Sequence, residues 1–252
     1  LTKTIPARSS GYPRKTDADR LRTLAWFYAV QQASKLDTRE LELRYPATLS
    51  PRAPSTHRSC LWIKYKNGSV CPRDIDRPES PSLVSRIEKD FPGTGKWYRH
   101  YIWQLVCGQA SSMDDVIKAY YRLPLKFQSK IIQPRGEWLS GIFWKNSKFS
   151  TEELYAIFTE ERGLDGGAAI AALALESKIC QRKYDFHLGI EAFNEWKKWE
   201  GWDNFENWLK IKHDPKYYDG HLSLPLFEII NSDNGTGNHY YYNYDDEDDD
   251  DY

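Results

Sequence analysis

Residues 150–183 read STEELYAIFTEERGLDGGAAIAALALESKICQRK, and their reading decides the fold class. Ser150 followed by Glu153 is a capping box, in which hydroxyl and carboxylate each satisfy one backbone N–H at a helix start. Leu154, Ile157 and Phe158 supply the buried stripe of that helix, and Gly163 its stop. From Gly166 to Lys183 the chain is rich in Ala and Leu, which favours a second helix. Its small side chains permit close approach to neighbouring helices, so it belongs in the interior. A chain centred on such a pair is mainly α. With 252 residues, 40% of them apolar, it can bury a core as one large or two small domains. Its longest weakly polar stretch, Gly166 to Leu175, is ten residues long and far short of a membrane span.

Toward the N-terminus, Leu1 to Lys15 mixes Pro6, Gly11 and Pro13 with cations and has no periodicity. It reads as an extended basic arm without the apolar segment of a signal peptide. Thr16 with Asp19 opens a core helix carrying Leu21, Leu24, Ala25 and Tyr28, its stripe widened by Trp26, Phe27 and Val30. Asp37 with Glu40 opens a short second helix that ends before Pro46, and residues 46–58 form a Pro-rich loop. Leu61, Ile63 and Tyr65 then alternate with Trp62, Lys64 and Lys66 up to Asn67-Gly68. That pattern suits a small β-hairpin near 61–71, and a helix ending at Gly68 is the competing reading. Further helices are expected from Ser82 to Glu88, from Lys96 to Cys107, and from Met113 to Arg122, closed by Pro92-Gly93, Gly108 and Pro124 respectively.

On the other side, Phe193, Trp196, Trp199, Trp202, Phe205 and Trp208 fall at every third residue. That spacing drifts around an α-helix, so a break is required. Gly201 followed by Asp203 and Glu206 is the expected place for it. After Ile230 the composition turns to Asn, Asp, Gly and Tyr, which cannot build a core. The expected organisation is a basic arm 1–15, a basic helical domain 16–148, an acidic Trp-rich helical domain 149–230, and a disordered acidic Tyr/Asp tail 231–252.

The formal net charge of −1 conceals a polarity along the chain. Residues 1–148 hold 26 Lys and Arg against 13 acids, about +13, and residues 149–252 hold 9 against 23, about −14. Seven of those acids form one run, Asp245 to Asp251. Such a dipole attracts polyanions to one end and polycations to the other, or folds one half onto the other. The four cysteines, Cys60, Cys71, Cys107 and Cys180, are widely spaced without a CxxC. Buried thiols in a reducing, cytoplasmic setting are the expectation.

Cations of the basic region are interleaved with aromatics, as in Lys96-Trp97-Tyr98-Arg99-His100-Tyr101. Phosphates need cations and unstacked bases need π-faces, so the mixture suits nucleic acid. The expected phosphate contacts are Arg14, Lys15, Lys64, Lys66, Lys96, Arg99, Lys118, Arg122, Lys126 and Lys130. Two helices joined at Lys35 to Asp37, followed by Trp62, Gly68, Pro72 and Ile87-Glu88, resemble the second half of a lambda-repressor-type helix-turn-helix domain. The Trp62 to Gly68 interval is longer than in that family, and the 46–58 loop interrupts its compact turn. The resemblance implies binding of duplex DNA.

Signals for catalysis are few. Gly93-Thr94-Gly95-Lys96 lacks the hydroxyl residue and the leading Gly of a phosphate-binding loop. Asp165 with Glu176-x-Lys178 resembles the metal triad of restriction-type nucleases, but it lies in a stretch of helical preference. His57, Cys60, Cys71 and His100 are zinc-type residues without a zinc spacing. No cofactor and no metal are expected. The Trp-rich stretch suits a core; its functional reading is a partner groove of Trp196, Trp199, Trp202 and Trp208, ringed by acids that favour a basic protein segment. The leading expectation is a non-enzymatic nucleic-acid-binding regulator or accessory subunit, DNA before RNA, using its acidic half for a basic partner or self-association. A protein adaptor with oppositely charged halves is the alternative, and a metal-dependent nuclease the third.

Overall fold

The structure is a computed structural model that describes residues 16–46, 60–78, 81–133, 146, 148–212 and 226. The expectations for Arg14, Lys15, the basic arm and the acidic tail fall outside the described residues. The elements are α1 (Asp17–Ser34), α2 (Thr38–Arg44), α3 (Leu61–Lys66), α4 (Leu83–Asp90), α5 (Thr94–Arg99), α6 (Ile102–Val106), α7 (Met113–Arg122), α8 (Leu125–Ile131), α9 (Thr151–Glu160), α10 (Leu164–Ile179), α11 (Lys183–Trp196) and α12 (Glu200–Lys212). The chain is mainly α, with no strand among the described residues. No described helix is long and apolar enough to cross a membrane.

Capping chemistry sets the helix starts. Thr16/Asp19, Asp37/Glu40, Ser112/Asp115 and Ser150/Glu153 all close reciprocal capping boxes at α1, α2, α7 and α9. The hairpin near 61–71 is not formed, and α3 takes its place. Asn67-Gly68 here ends a helix: Gly68 sits at φ +62, Gly68 N–H donates to the Tyr65 carbonyl at 2.9 Å, and Ser69 N–H to that of Lys64 at 2.9 Å. This is the Schellman closure, which needs the same left-handed glycine as a hairpin turn. Trp62 and Tyr65, three residues apart, are both buried while Ile63 is half exposed, as a helix dictates.

Two further differences are local. The expected helix from Lys96 to Cys107 is broken at His100, whose Nδ1 accepts the backbone N–H of Ile102 and so starts α6. The break among the tryptophans falls at Lys197 to Trp199, not at Gly201, which lies in the first turn of α12. Gly201 is required for another reason. A Cβ there would meet the Trp199 indole at 2.6 Å.

The core is one cluster running from Ala18 to Leu226 across the 148/149 boundary. That boundary separates charge and not hydrophobic cores. Helix α10 lies at the centre, buried from Leu164 through Ser177 except at Asp165, and packs against α11, α9, α7 and α6. Its contact with α11 is close because glycines line it. A Cβ on Gly167 would overlap the Trp196 indole at 2.4 Å, and one on Gly189 would meet the Ala174 Cβ at 2.9 Å. Aromatic pairs stitch the halves together: Trp97 stacks on Trp199 at 6.2 Å and Trp103 on Trp202 at 6.0 Å.

Candidate functional site

The fold sorts the expected phosphate contacts into two groups. Lys96 Nζ pairs with Asp165 Oδ2 at 2.6 Å, and Lys126 Nζ with Glu161 Oε2 at 2.5 Å, both across the charge boundary. Arg99 binds Asp74 through two nitrogens, at 2.7 and 2.6 Å, and donates to Ser85. Lys130 lies over the Phe149 ring at 5.0 Å. Lys96, Arg99 and Lys126 hold the molecule together, because acids of both halves reach them, while Lys130 is held by a ring alone. Lys64 and Lys66 on α3, with Lys118 and Arg122 on α7, make no ion pair or side-chain hydrogen bond among the described residues.

Lys118 and Arg122, one helical turn apart, reach a cleft of about 320 Å³ that Tyr101, Gln104, Gln109 and Asp115 also line. A smaller recess of about 60 Å³ adjoins it, sharing Tyr101, Gln104, Gln109 and Arg122 and adding Arg22, Arg99 and His100. The site is therefore assembled from α1, the α5–α6 junction and α7. Tyr101 is only 8% exposed and its hydroxyl has no hydrogen-bond partner among the described residues. Burial pushes that hydroxyl well above the ordinary tyrosine range, helped by Asp165 and opposed by Arg122, so it is a proton donor at any physiological pH. Arg22 spans two anchors, pairing with Asp19 at 2.6 Å and lying over the Tyr98 ring at 4.8 Å, while its buried Nε has no partner.

Behind the recess, His100 stacks on Tyr101 at 5.0 Å. Its Nδ1 accepts from Ile102 N–H, so its Nε2 carries the proton and donates to Asp165 Oδ1 at 3.0 Å. That bond, with the pairing to Lys96, holds the Asp165 carboxyl down at about 2 against its burial. With both ring nitrogens engaged, His100 acts here as a clip between the α5–α6 junction and α10 and offers no lone pair.

The nuclease-like triad is not assembled. Asp165 and Glu176 are eleven residues apart on one helix, about 16 Å along its axis, too far to share a metal ion. Glu176 is buried and accepts the Tyr120 hydroxyl at 2.6 Å and Arg182 Nη2 at 2.7 Å. Of the zinc-type residues, Cys71 Sγ donates to the Asp19 carbonyl, and His57 lies outside the described residues. No group of potential metal ligands occurs among the described residues.

The tryptophan groove is corrected as well. Trp196 and Trp202 are fully buried, Trp208 is 8% exposed, and Trp199 is half-buried against Trp97. The three enclosed indoles have no free surface to offer a partner and build the core, against which Trp199 packs. An open acidic groove lies elsewhere, between α9 and α11. It has a volume of about 420 Å³, with Glu152, Glu160, Glu191 and Glu195 around Ala156 and Leu188.

The sequence reading found Lys118 and Arg122 as contacts and Tyr101 as one of the interleaved aromatics, but missed Arg22, Gln104 and Gln109. Arg22 belongs to a helix whose apolar stripe dominated its reading, and nothing local places it beside residues eighty positions away. No protein-family model, curated protein or solved structure matches the chain.

Proposed function

We propose that the chain is a non-enzymatic nucleic-acid-binding regulator or accessory subunit, DNA before RNA, gripping phosphates through its basic region. The observation that carries this reading is the set Lys64, Lys66, Lys118 and Arg122, left without ion pairs in a region whose acids are largely engaged inside the fold. Asp19, Asp37, Asp115, Asp74, Glu88 and Asp90 all serve caps, ion pairs or internal hydrogen bonds. Cations without partners are the ones that can exchange counterions for phosphate. Fluorescence anisotropy with labelled duplex DNA, single-stranded DNA and RNA tests the reading. The double variant Lys64→Glu with Lys118→Glu is expected to weaken binding at least tenfold, on the order of 1–2 kcal/mol for two lost charge contacts. Equal affinity of variant and wild type would refute it. Incubation with Mg²⁺ or Mn²⁺ is expected to leave the nucleic acid intact.

A second reading, a protein adaptor, is favoured by the α9–α11 groove. Its glutamates surround an apolar floor, the arrangement that receives a basic amphipathic segment.

A further inference from the structure

We propose that the cleft between α1, the α5–α6 junction and α7 is a binding site for a phosphate monoester; a strand terminus as its source rests on the nucleic-acid reading, and the chemistry of the cleft does not. Lys118 and Arg122 stand on its walls without an ion pair, with Arg22, paired to Asp19, and Arg99, held by Asp74, beside them, against two carboxylates. Both carboxylates are already engaged: Asp19 caps α1 and pairs with Arg22, and Asp115 accepts the N–H groups of Ser111 and Ser112. The unfilled hydrogen-bonding capacity on the walls is therefore mostly donor. It comprises the Tyr101 hydroxyl, the Arg22 Nε and the Arg122 guanidinium, with the Gln104 and Gln109 amides at the junction of recess and cleft.

The Tyr101 hydroxyl is the informative group. A hydroxyl buried without a partner is destabilising, and it is tolerated most simply where a ligand completes it. Its raised pKa keeps the proton on, so it can donate to an acceptor that the ligand supplies. Donors arriving from three elements suit a group with several acceptor oxygens and close to two negative charges. A phosphate monoester presents three such oxygens and carries about −1.5 to −2 at neutral pH. An internal diester presents two and carries one charge. The recess holds about 60 Å³, room for a group that terminates there but not for a strand that must leave again on both sides. The adjoining 320 Å³ would hold the organic part of the ligand, against Leu105 and Ala119.

The test uses the full chain and oligonucleotides that differ only in a terminal phosphate, at the 5′ or 3′ end, with the label at the opposite end. A phosphorylated end is expected to bind about tenfold tighter than its hydroxyl counterpart. Tyr101→Phe and Arg122→Ala should remove that difference. Tyr101→Phe deletes one unpartnered oxygen and keeps the ring, so it tests that hydroxyl without reshaping the cleft. Trp103, which lines the recess, reports the second arm: titration with inorganic phosphate and with a nucleoside monophosphate, read by tryptophan fluorescence. If neither oligonucleotide binds, the nucleic-acid reading fails. Saturable quenching by the mononucleotide, lost in Arg122→Ala, would then still sustain the monoester site with a small molecule as its source. Equal affinity for phosphorylated and hydroxyl ends, together with no saturable response to either small ligand, would overturn it.

Discussion

Gly167 shows what a single side chain decides in this molecule. The Trp196 indole occupies the space where its Cβ would stand, and the indole N–H donates to the Gly163 carbonyl at 3.0 Å, so the ring cannot swing away cheaply. Gly167→Ala is expected to cost about 3 kcal/mol as overpacking, read by urea unfolding at neutral pH. An effect under about 1 kcal/mol would mean that α10 and α11 can separate. Asp165 carries the pH-dependent counterpart. Its carboxyl is held at about 2 by the His100 N–H and Lys96, below the ordinary value of 3.8 that it regains on unfolding. The stabilisation is therefore complete above about pH 4 and is lost as pH falls toward 2. Asp165→Asn should destabilise the protein near pH 6 by on the order of 2 kcal/mol and flatten its stability between pH 4 and 2. Parallel curves for variant and wild type over that window would contradict the assignment.

Helices were legible where their signals are local. Each capping box closes within four residues, so Thr16, Asp37, Ser112 and Ser150 could be read without knowing the fold. The segment at 61–71 was ambiguous because a left-handed glycine after Asn67 suits a hairpin turn and a helix end equally, and only the packing of Trp62 against Trp26 selects the helix. Helix α8 carries no side-chain cap and follows Pro124, which reads as a stop. The C-terminus of α10 repeats the Schellman closure of α3 without glycine: Gln181 sits at φ +57, and Arg182 N–H donates to the Ser177 carbonyl at 2.8 Å. A side chain in the left-handed region costs roughly 1 kcal/mol, so Gln181→Gly should raise stability by up to that amount, measured as a higher urea midpoint with unchanged slope. A lower midpoint would mean that the Gln181 side chain makes a compensating contact.

At the scale of the molecule, the charge dipole of the sequence is mostly outside the described body. Described residues 16–148 hold 18 cations against 11 acids, about +7, and residues 149–212 hold 8 against 12, about −4. Roughly half the basic excess and most of the acidic excess thus belong to segments such as 1–15 and 213–252. Within the body the two signs meet, at Lys96–Asp165 and Lys126–Glu161, and the halves share one core. The sequence could show that charge was segregated, but not which cations the folded chain would neutralise. The cleft stayed hidden for the same reason, since Arg22, Tyr101 and Arg122 converge only through tertiary packing.

Nucleic-acid binding through unpaired cations is tested most directly by the salt dependence of affinity for a DNA duplex, measured by anisotropy on the full chain. With Lys64, Lys66, Lys118 and Arg122 as the minimum set, and the basic arm able to add to it, log K should fall linearly with log salt with a slope of roughly −3 to −6. The slope should lose about one unit for each of these cations replaced by Glu. Affinity that is flat across the same salt range, or no binding at the lowest salt, would contradict the account.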